Sequence, residues 1–514
     1  MKRWEVFLGI VGAVLVLVGA SAMRRAALPK QTAILGEGGC HTPVTVLEPP
    51  PGVNPLGTVI LFHGLSANRG WLTYLGADFA AHGFRSYLLD LPGHGENTDP
   101  FTFARAERCA GIAVGYLVRS GKISPKTTIL LGHSMGAAIA IRMADRAPMA
   151  ATIAISPAPM ITPHRMPSNL LVFSAQYDLG ALKRQAQNLA EAAGGDRIEP
   201  NDFAEQRAFE LQKVRFATHT SVILNRRLAH QSEQWAMQTL FPKIAPSTLT
   251  RNLGLAADAT RNCGRLAGAT TGLLGVLLLF PMCATVAAEC SGPARESFVG
   301  TYPTRALALA EGAVSALAAA LILAFVVPLK FLHLYAGDYL ASLMLLAGML
   351  LIALNWKAAK ACLSLDVPRL MAAAALGLAT ILAVGGWLNW QLDGVRLPTP
   401  RWLRFAALLP VAAVFCFAEE AILGPLYEGR RRAVRYAMFL ALRLELWLAC
   451  LLAYYKLASG QLLIGLLVVG LAAFSMLQRL AADALLGRTG SATATAVFDA
   501  ILAAWFIAAI FPLT

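Results

Sequence analysis

The chain has 514 residues, of which 56% are hydrophobic and only 14% charged, and its mean hydropathy is +0.56. These values exclude an ordinary soluble protein and indicate a membrane protein. The net charge of +14 does not indicate nucleic-acid binding, because no run of Lys and Arg is interleaved with aromatic residues. We expect the basic residues to act as topology signals and to attract anionic lipid headgroups.

Residues 1–30 are predicted to form an N-terminal membrane anchor. The apolar run Phe7 to Ala22 follows Lys2 and Arg3 and precedes Arg24 and Arg25. A cleavable signal peptide remains an alternative, since the run ends in small residues that suit a cleavage site. Basic residues directly after the run disfavour cleavage, so the anchor is the preferred interpretation.

Residues 31–243 have mixed polarity, and short β-branched or leucine-rich runs alternate there with helix-like segments. Such alternation predicts a mostly parallel sheet with helices on both faces. The predicted strands are Val44 to Leu47, Thr58 to Phe62, Arg85 to Leu89, Thr128 to Leu131, Ala151 to Ile155, Leu170 to Phe173 and Val214 to Ala217. The predicted helices include Trp71 to Ala81, Ala104 to Ser120, Ala137 to Ala147, Gly180 to Ala193 and Ser232 to Leu240.

The most informative motif is Gly132-His133-Ser134-Met135-Gly136, which lies between a predicted strand and a predicted helix. A serine on a sharp strand-to-helix turn takes up strained backbone angles, so small neighbours are needed to avoid clashes and to expose its hydroxyl. The pattern is therefore that of a nucleophile elbow with Ser134 as the nucleophile.

Two further motifs precede the elbow: His63-Gly64-Leu65 after one predicted strand, and Asp90-Leu91-Pro92-Gly93-His94-Gly95 after the next. Together the three resemble the α/β-hydrolase family, near its lysophospholipase, monoacylglycerol lipase and serine aminopeptidase branch, over about 200 residues. The resemblance implies an α/β-hydrolase fold and serine hydrolase chemistry. One departure is Asn97, where that branch more often has serine.

A neutral serine hydroxyl is a weak nucleophile and needs a base within hydrogen-bond reach. The resemblance places this base on the loop after the last strand, where His219 follows Val214 to Ala217 directly. His230, near a helical segment, is the competing candidate and is interpreted instead as a helix-surface residue.

The carboxylate that orients the base is expected after the penultimate strand, and Asp178 has that position. The resulting chain order of Ser134, Asp178 and His219 is the one this fold uses. Asp196 and Asp202 are the rivals, but they lie in a polar stretch typical of a solvated loop.

The resemblance also implies an oxyanion hole made of backbone N–H groups, one from Met135 and one from Leu65. No cofactor and no metal ligand are expected. Supporting roles in these motifs are assigned to His63, Gly64, Gly132, His133 and Gly136.

The eight cysteines show no Cys-x-x-Cys spacing, which argues against a metal site built from cysteine. Cys40 and Cys109 lie in the globular part and are expected to be able to pair if it faces an oxidising space.

The cap that roofs the acyl pocket in this family corresponds here to Ser156 to Asn169, which is short. The site is expected to be open and to be completed by a lipid surface or by the C-terminal part.

Residues 244–264 are predicted to be a linker, and residues 265–514 a polytopic all-α membrane domain of about eight helices. Each apolar segment is close to the roughly 20 residues that a span needs. The predicted spans are Leu266 to Ala288, Ala306 to Val327, Tyr339 to Leu354, Leu370 to Leu388, Leu403 to Leu423, Tyr436 to Tyr455, Leu462 to Leu480 and Ala492 to Phe511.

The orientation follows from the densest basic loop, Arg430 to Arg432 with Arg435, which should be cytoplasmic. Counting spans back from it places the N-terminus inside and the hydrolase-like domain outside the cytoplasm.

Six of the charged residues within the predicted spans are singled out, because charge is costly there. The first interpretation is that Arg443 or Glu445 pairs with another of them to hold the bundle together. The six are Glu311, Glu419, Glu420, Arg443, Glu445 and Asp499.

A second interpretation starts from the pair Glu419-Glu420 and the segment from Thr489 to Pro512. Both resemble intramembrane proteases related to CAAX prenyl endopeptidases, but Gly424 replaces the expected arginine and Asp499 an expected histidine. The resemblance thus implies a catalytically inactive relative.

The sequence therefore predicts a membrane-bound serine hydrolase that acts on ester, thioester or lipid acyl bonds, with an acyl ester or lipid-derived substrate and the lipid bilayer as partners. Two alternatives stay open. One is an acyltransferase that uses the same triad, and the other is a transporter or receptor with the hydrolase-like domain as an accessory or sensing module.

Overall fold

The computed structural model describes residues 2–25, 27–160, 163–195, 202–248, 259–292, 304–325, 330–392, 396–423, 432–457 and 462–514. Contacts divide the chain into two compact units. The first contains residues 19–270, 388–396 and 512–514, and the second residues 1–18, 271–387 and 397–511. Asp196, Arg430 and Arg431, which were singled out from the sequence, lie outside the described residues.

The first unit is built on an eight-stranded sheet with the order β1-β2-β4-β3-β5-β6-β7-β8. β1 pairs antiparallel with β2, and β2 antiparallel with β4, whereas all other neighbours are parallel. The predicted α/β-hydrolase fold with a mostly parallel sheet is thereby confirmed. The strands are β1 Lys30–Glu37, β2 Cys40–Leu47, β3 Gly57–Phe62, β4 Phe84–Leu89, β5 Thr128–His133, β6 Ala151–Ile155, β7 Leu170–Tyr177 and β8 Phe209–Thr218.

The central strands are mostly apolar and are buried along their whole length because helices cover both faces of the sheet. Every residue of β3, β5 and β6 is buried. β1 differs, since all its residues except Leu35 are exposed. It pairs with β2 through the turn at Gly38 and Gly39, which both have positive φ. An exposed strand with no apolar alternation gives no periodic signal, so β1 was not predicted from the sequence.

Five helices cover the sheet. α2 Thr73–Ala81 and α6 Arg226–Leu240 pack against each other on one face, over an apolar cluster that includes Phe79, Phe173 and Trp235. α3 Phe103–Arg119, α4 Met135–Arg146 and α5 Gly180–Ala192 are the remaining three, and α4 and α5 share a second apolar cluster around Ile141 and Leu189. Each helix was predicted, with bounds that differ by a few residues.

A disulfide between Cys40 and Cys109 ties the β1–β2 hairpin to α3, with the two Cα atoms 5.5 Å apart. The two cysteines are 69 residues apart in the sequence, so the link closes a long loop of the unfolded chain. Closing such a loop lowers the entropy of the unfolded state and thereby stabilises this edge of the sheet.

Residues 512–514, which were predicted to belong to the membrane domain, group with the sheet unit. The Leu513 N–H donates to the Gly93 carbonyl (2.9 Å), and the Phe101 N–H donates to the Leu513 carbonyl (2.6 Å). Gly93 has φ +74°, and a Cβ there would press on Leu513 and Phe101. Leu513 is thus inserted into the loop that follows β4.

The second unit is helical. Its long helices include the N-terminal α1 Arg3–Arg25 and α7 Ala259–Cys290, each of which continues into the first unit. The others are α8 Arg305–Phe325, α9 Gly337–Leu354, the short α10 Trp356–Cys362, α11 Val367–Leu392, α12 Thr399–Leu423, α13 Arg432–Leu457, α14 Leu462–Thr489 and α15 Ala492–Ile510.

Eight helices within the described residues are long and apolar enough to cross a membrane, and α1 is one of them. The chain is thus compatible with a multi-pass membrane protein. The eight do not include α14, predicted as the span Leu462 to Leu480, several of whose side chains lie outside the described ones. That span therefore stays a prediction.

Arginines neutralise two of the charges predicted within the spans. Arg443 pairs with Glu419 at 2.6 Å, which confirms the interpretation that Arg443 joins helices. Glu420 accepts hydrogen bonds from Arg435 at 2.9 Å and from Arg479. These contacts connect α12 with α13 and α14, and buried charges of this kind are stable only when paired.

Candidate active site

The predicted site residues lie where strands end. Because parallel strands have their carboxyl ends at the same edge of a sheet, the loops after β3, β5, β6, β7 and β8 all emerge there. These loops carry Leu65, Ser134, Ser156, Asp178 and His219. Residues that are distant in the sequence thus meet at one edge.

Ser134 lies between β5 and α4 with φ 55° and ψ −116°, a backbone conformation that residues other than glycine rarely adopt. The close packing around the turn explains the flanking glycines, since a Cβ at Gly132 would collide with the backbone of Gly136, and a Cβ at Gly136 with the carbonyl of Phe62. The Ser134 N–H donates to the Ile155 carbonyl at 2.9 Å. The turn therefore has the strained geometry expected of a nucleophile elbow.

The predicted base and acid are in contact, since the His219 Nδ1 lies 2.8 Å from Asp178 Oδ1. The Asp178 side chain is completely buried and that of His219 is 11% exposed. Burial alone would raise the pKa of Asp178, but hydrogen bonds from His219, Ser156 and the Ala175 N–H outweigh it and hold this pKa below its ordinary value. Asp178 is therefore a carboxylate at neutral pH and holds Nδ1 protonated.

Ser156 completes the surroundings of Asp178 and was not identified from the sequence. Its hydroxyl donates to Asp178 Oδ2 at 2.6 Å, and the Ala175 N–H donates to the same oxygen at 3.0 Å. Ser156 follows β6 directly and has φ 46°. Its position at a strand end was the signal available in the sequence, but serine is common in loops and turns, so a lone serine there does not indicate this role.

His133 supports the loop that carries His219. Its Nε2 lies 2.8 Å from the His219 carbonyl oxygen, and the two rings are 4.8 Å apart. Burial, reinforced by the neighbouring His219, lowers the pKa of His133 to about 3. The ring is therefore neutral and donates to the carbonyl, which is a supporting role of the kind predicted from the sequence.

The loop after β3 brings the predicted oxyanion donors close to the elbow. A Cβ on Gly64 would lie 3.0 Å from His133 Nδ1 and 3.1 Å from the Cβ of Ser134, which is tighter than an ordinary contact, so glycine favours this approach. Within the described part of the chain, the N–H groups of Leu65 and Met135 have no hydrogen-bond acceptor. Two such donors beside one hydroxyl are suited to bind a developing oxyanion.

His63 and His94 brace these loops. His63 Nε2 accepts from the Leu91 N–H at 3.0 Å while its Nδ1 lies 2.8 Å from the Gly64 carbonyl. Burial lowers the pKa of His63, which keeps it neutral in this arrangement. The His94 ring lies between the rings of His63 (4.9 Å) and Phe101 (5.0 Å). These contacts link the oxyanion loop to the loop that binds Leu513.

Asp90 organises the loop after β4. Its carboxylate accepts from the backbone N–H groups of Arg69 (2.7 Å) and Glu96 (2.9 Å) and pairs with the Arg69 guanidinium. Asn97, the departure from the family pattern, donates from Nδ2 to the Asp90 carbonyl at 2.9 Å. This residue therefore braces a loop and touches no part of the predicted triad.

The rival residues have other partners. The His230 side chain on α6 is 64% exposed and lies 3.8 Å from Glu233. Asp202 pairs with Arg207 at 2.9 Å. Neither takes part in the contacts around Asp178 and His219. In the predicted cap, residues 156–160 and 163–169 contain no helix or strand.

Comparison with known proteins finds a protein family whose model matches part of this chain. The model of the alpha/beta hydrolase family matches residues 59–252. The pimeloyl-[acyl-carrier protein] methyl ester esterase of Nitrosospira multiformis is 31% identical over 90 residues, which cover 18% of this chain and 34% of that protein. The match thus spans about a third of this curated relative.

Solved structures with detectable similarity include three hydrolases. An arylesterase is 12% identical and covers 44% of this chain and 90% of its own, with a TM-score of 0.33. A lidless α/β serine hydrolase from Xanthomonas campestris is 19% identical, with 41% and 94% coverage and a TM-score of 0.33. An α/β serine hydrolase homologue from Coxiella burnetii is 16% identical, with 43% and 97% coverage and a TM-score of 0.31.

Proposed function

Because residues 59–252 form a domain of the alpha/beta hydrolase family, we propose that this chain is a membrane-bound serine hydrolase that cleaves ester, thioester or lipid acyl bonds through an acyl-enzyme. The observation that carries the proposal is the strained turn at Ser134, at the same sheet edge as the 2.8 Å contact between His219 and Asp178. The relative named as an ester hydrolase and the membrane-compatible helices support this class of substrate.

In the proposed reaction, the Ser134 Oγ attacks the acyl carbonyl carbon while His219 Nε2 takes up the hydroxyl proton. The N–H groups of Leu65 and Met135 stabilise the oxyanion that forms. Protonated His219 then donates its proton to the leaving alcohol or thiol. Asp178, buried and ionised, stabilises the imidazolium throughout.

Deacylation repeats these steps with water. His219 accepts a proton from water, the resulting hydroxide attacks the acyl carbon, and the proton returns to Ser134 Oγ as the acid leaves. The absence of a helix or strand in the described residues of the 156–169 segment favours an open site. Such a site would admit substrates that lie partly in a lipid surface.

The experiment is covalent labelling of the detergent-solubilised full chain with a fluorophosphonate. We expect labelling of the wild type and none of the Ser134→Ala variant, with Ser168→Ala as a matched control that labels normally. Equal labelling of the wild type and Ser134→Ala would contradict the proposal. A screen of esters of graded acyl length then defines the substrate.

We further propose that the hydrolase domain faces the extracytoplasmic side. The disulfide between Cys40 and Cys109 supports this location, because disulfides persist in oxidising compartments. Alkylation of intact cells before and after reduction tests it. If both thiols react without a reductant in protein taken directly from cells, the domain faces a reducing compartment and the proposal fails.

A further inference from the structure

Three side chains that could bind a metal converge between α2 and α6, outside the proposed active site, and a fourth, the exposed His230, lies beside them. Asp78 lies in α2, and His82 follows the end of that helix four residues later. His230 and Glu233 lie three residues apart in α6. Residues at these spacings project from the same face of a helix. Asp78 and His82 thus approach Glu233 of the other helix, whereas His230 lies at the edge of the group, with its Nε2 3.0 Å from Gln234 Nε2.

The distances between the ligand atoms are close to those of a coordination site. The His82 Nδ1 lies 3.2 Å from Glu233 Oε2, and the His230 Nδ1 lies 3.8 Å from the same oxygen. Ligand atoms of Asp78, His82 and Glu233 all lie within 4.8 Å of one another. A tetrahedral ion with bonds of about 2.1 Å holds its ligand atoms about 3.4 Å apart. Only small side-chain movements are needed to reach that geometry.

Glu233 provides an independent observation. It is 2% exposed, and its Oε1 has no hydrogen-bond partner among the described residues. A buried carboxylate oxygen without a partner is unfavourable and rare in folded proteins. The Glu233 side chain also hydrogen-bonds that of Asp78, and a metal ion bound by both carboxylates would satisfy the remaining oxygen as well.

We propose that Asp78, His82 and Glu233, with His230 as the fourth ligand, bind a divalent transition-metal ion, with Zn²⁺ the best match. Imidazole nitrogens suit Zn²⁺, whereas Ca²⁺ and Mg²⁺ prefer all-oxygen sites. The ion would join the end of α2 to α6 and so stabilise one face of the sheet. None of its ligands belongs to the proposed triad, so the site is structural and independent of the proposed hydrolysis.

No metal was expected from the sequence, because cysteine spacing was the signal considered. The motifs Asp-x-x-x-His at 78–82 and His-x-x-Glu at 230–233 are each common on helix surfaces. About 150 residues separate the two pairs, and only the packing of α2 against α6 combines them.

The experiment uses the full chain in detergent, stripped with a chelator and then titrated with Zn²⁺ or Co²⁺. Bound metal is measured by elemental analysis, coordination by the visible spectrum of Co²⁺, and stabilisation by the shift in melting temperature. We expect one ion per chain and a rise in melting temperature. Substoichiometric binding of both ions by the wild type would overturn the proposal.

Glu233→Gln is expected to abolish metal binding and the thermal shift. His230→Ala changes an exposed side chain that folding does not need, and is expected to weaken affinity at least roughly tenfold, since even changes outside the direct ligands cost that much. The matched control is His41→Ala, because His41 forms a surface His–Asp contact with Asp99 (3.1 Å). Its metal affinity should equal that of the wild type. Unchanged affinity in His230→Ala and Glu233→Gln would also overturn the site.

Discussion

The hydrolase unit and the helical bundle each bury a carboxylate almost completely, but with different partners. The Asp178 side chain is 0% exposed and contacts the imidazole of His219, whereas the Glu420 side chain is 1% exposed and contacts the guanidinium groups of Arg435 and Arg479. An imidazole gains and loses a proton near neutral pH, but a guanidinium does not. Equal burial is therefore combined with the proposed proton transfer in one unit and with ion pairs between helices in the other.

The surroundings of the two carboxylates also differ. Asp178 lies on a loop at the edge of the sheet, and its partner His219 retains some exposure. The bundle pairs connect α12 with α13 and α14, and both α12 and α13 are apolar enough to span a membrane, where each charge depends on its partner. We therefore expect changes at Asp178 to affect chemistry and changes at Glu420 to affect folding. Four predictions test this contrast, in order of decreasing effect.

The largest effect is expected for Asp178→Asn. Without the carboxylate, His219 loses the partner that fixes its tautomer and stabilises its imidazolium form. The rate of ester hydrolysis or fluorophosphonate labelling should therefore fall about 10⁴-fold. The melting temperature of the bundle should not change. A variant that unfolds the whole chain, or that keeps full activity, would contradict the separation of roles.

Glu420→Gln is expected to destabilise the bundle by about 3–5 kcal/mol, because it removes the carboxylate that bridges two buried arginines and leaves Asp483 as the acidic partner that both share. The measurement is the apparent melting temperature of the solubilised chain. Glu445→Gln is the matched control in the bundle, since Glu445 Oε2 has no hydrogen-bond partner among the described residues. That variant should melt at or above the wild-type temperature. Equal destabilisation by both variants would show that the ion pairs do not matter.

Ser156→Ala removes a hydrogen bond to the ionised Asp178 and should slow the reaction about tenfold to a hundredfold, since such a bond is worth about 1.5–3 kcal/mol. The substitution also changes how the stability of the folded protein depends on pH in the acid range. Because the folded pKa of Asp178 is lowered, its stabilising effect is present above the unfolded value of about 3.9 and disappears as the pH falls through the folded pKa.

The variant raises the folded pKa of Asp178 towards its unfolded value. In both proteins the loss of stability begins near the unfolded pKa of aspartate, so the variant should lose less stability during acid titration and complete that loss at a higher pH than the wild type. Melting temperatures measured from roughly pH 2 to pH 6, a range that brackets the ordinary aspartate pKa, check this. Superimposable curves for the two proteins would mean that Ser156 does not stabilise the carboxylate.

The smallest effect is expected for Leu513→Pro, which removes the N–H that donates to Gly93. One lost backbone hydrogen bond is worth about 1 kcal/mol, and His94 connects this loop to the oxyanion loop, so the turnover rate should fall a few-fold. Thr514→Ala, at an exposed position, should have no effect. If Leu513→Pro retains wild-type turnover, residues 512–514 do not position the site.

Sequence patterns predicted most of the sheet unit because its strands and helices have strong and distinct periodicity. The predicted run Ala151 to Ile155 has the same bounds as β6, since a fully buried parallel strand is mostly apolar from end to end. β1 was missed because it is exposed. The grouping of Leu513 with the sheet unit was also missed, because backbone hydrogen bonds leave no pattern in the side chains.

The sequence by itself carried the signals for the proposed chemistry and setting: a serine between glycines, a histidine and an aspartate after strands, and apolar segments long enough for a membrane. Such local signals reflect backbone strain and hydrophobic burial, which act within a few residues. The tertiary structure alone decided the partners. Ser156 at Asp178, Cys40 at Cys109 and Glu233 at His82 are pairs whose members lie far apart in the chain, and only packing brings them together.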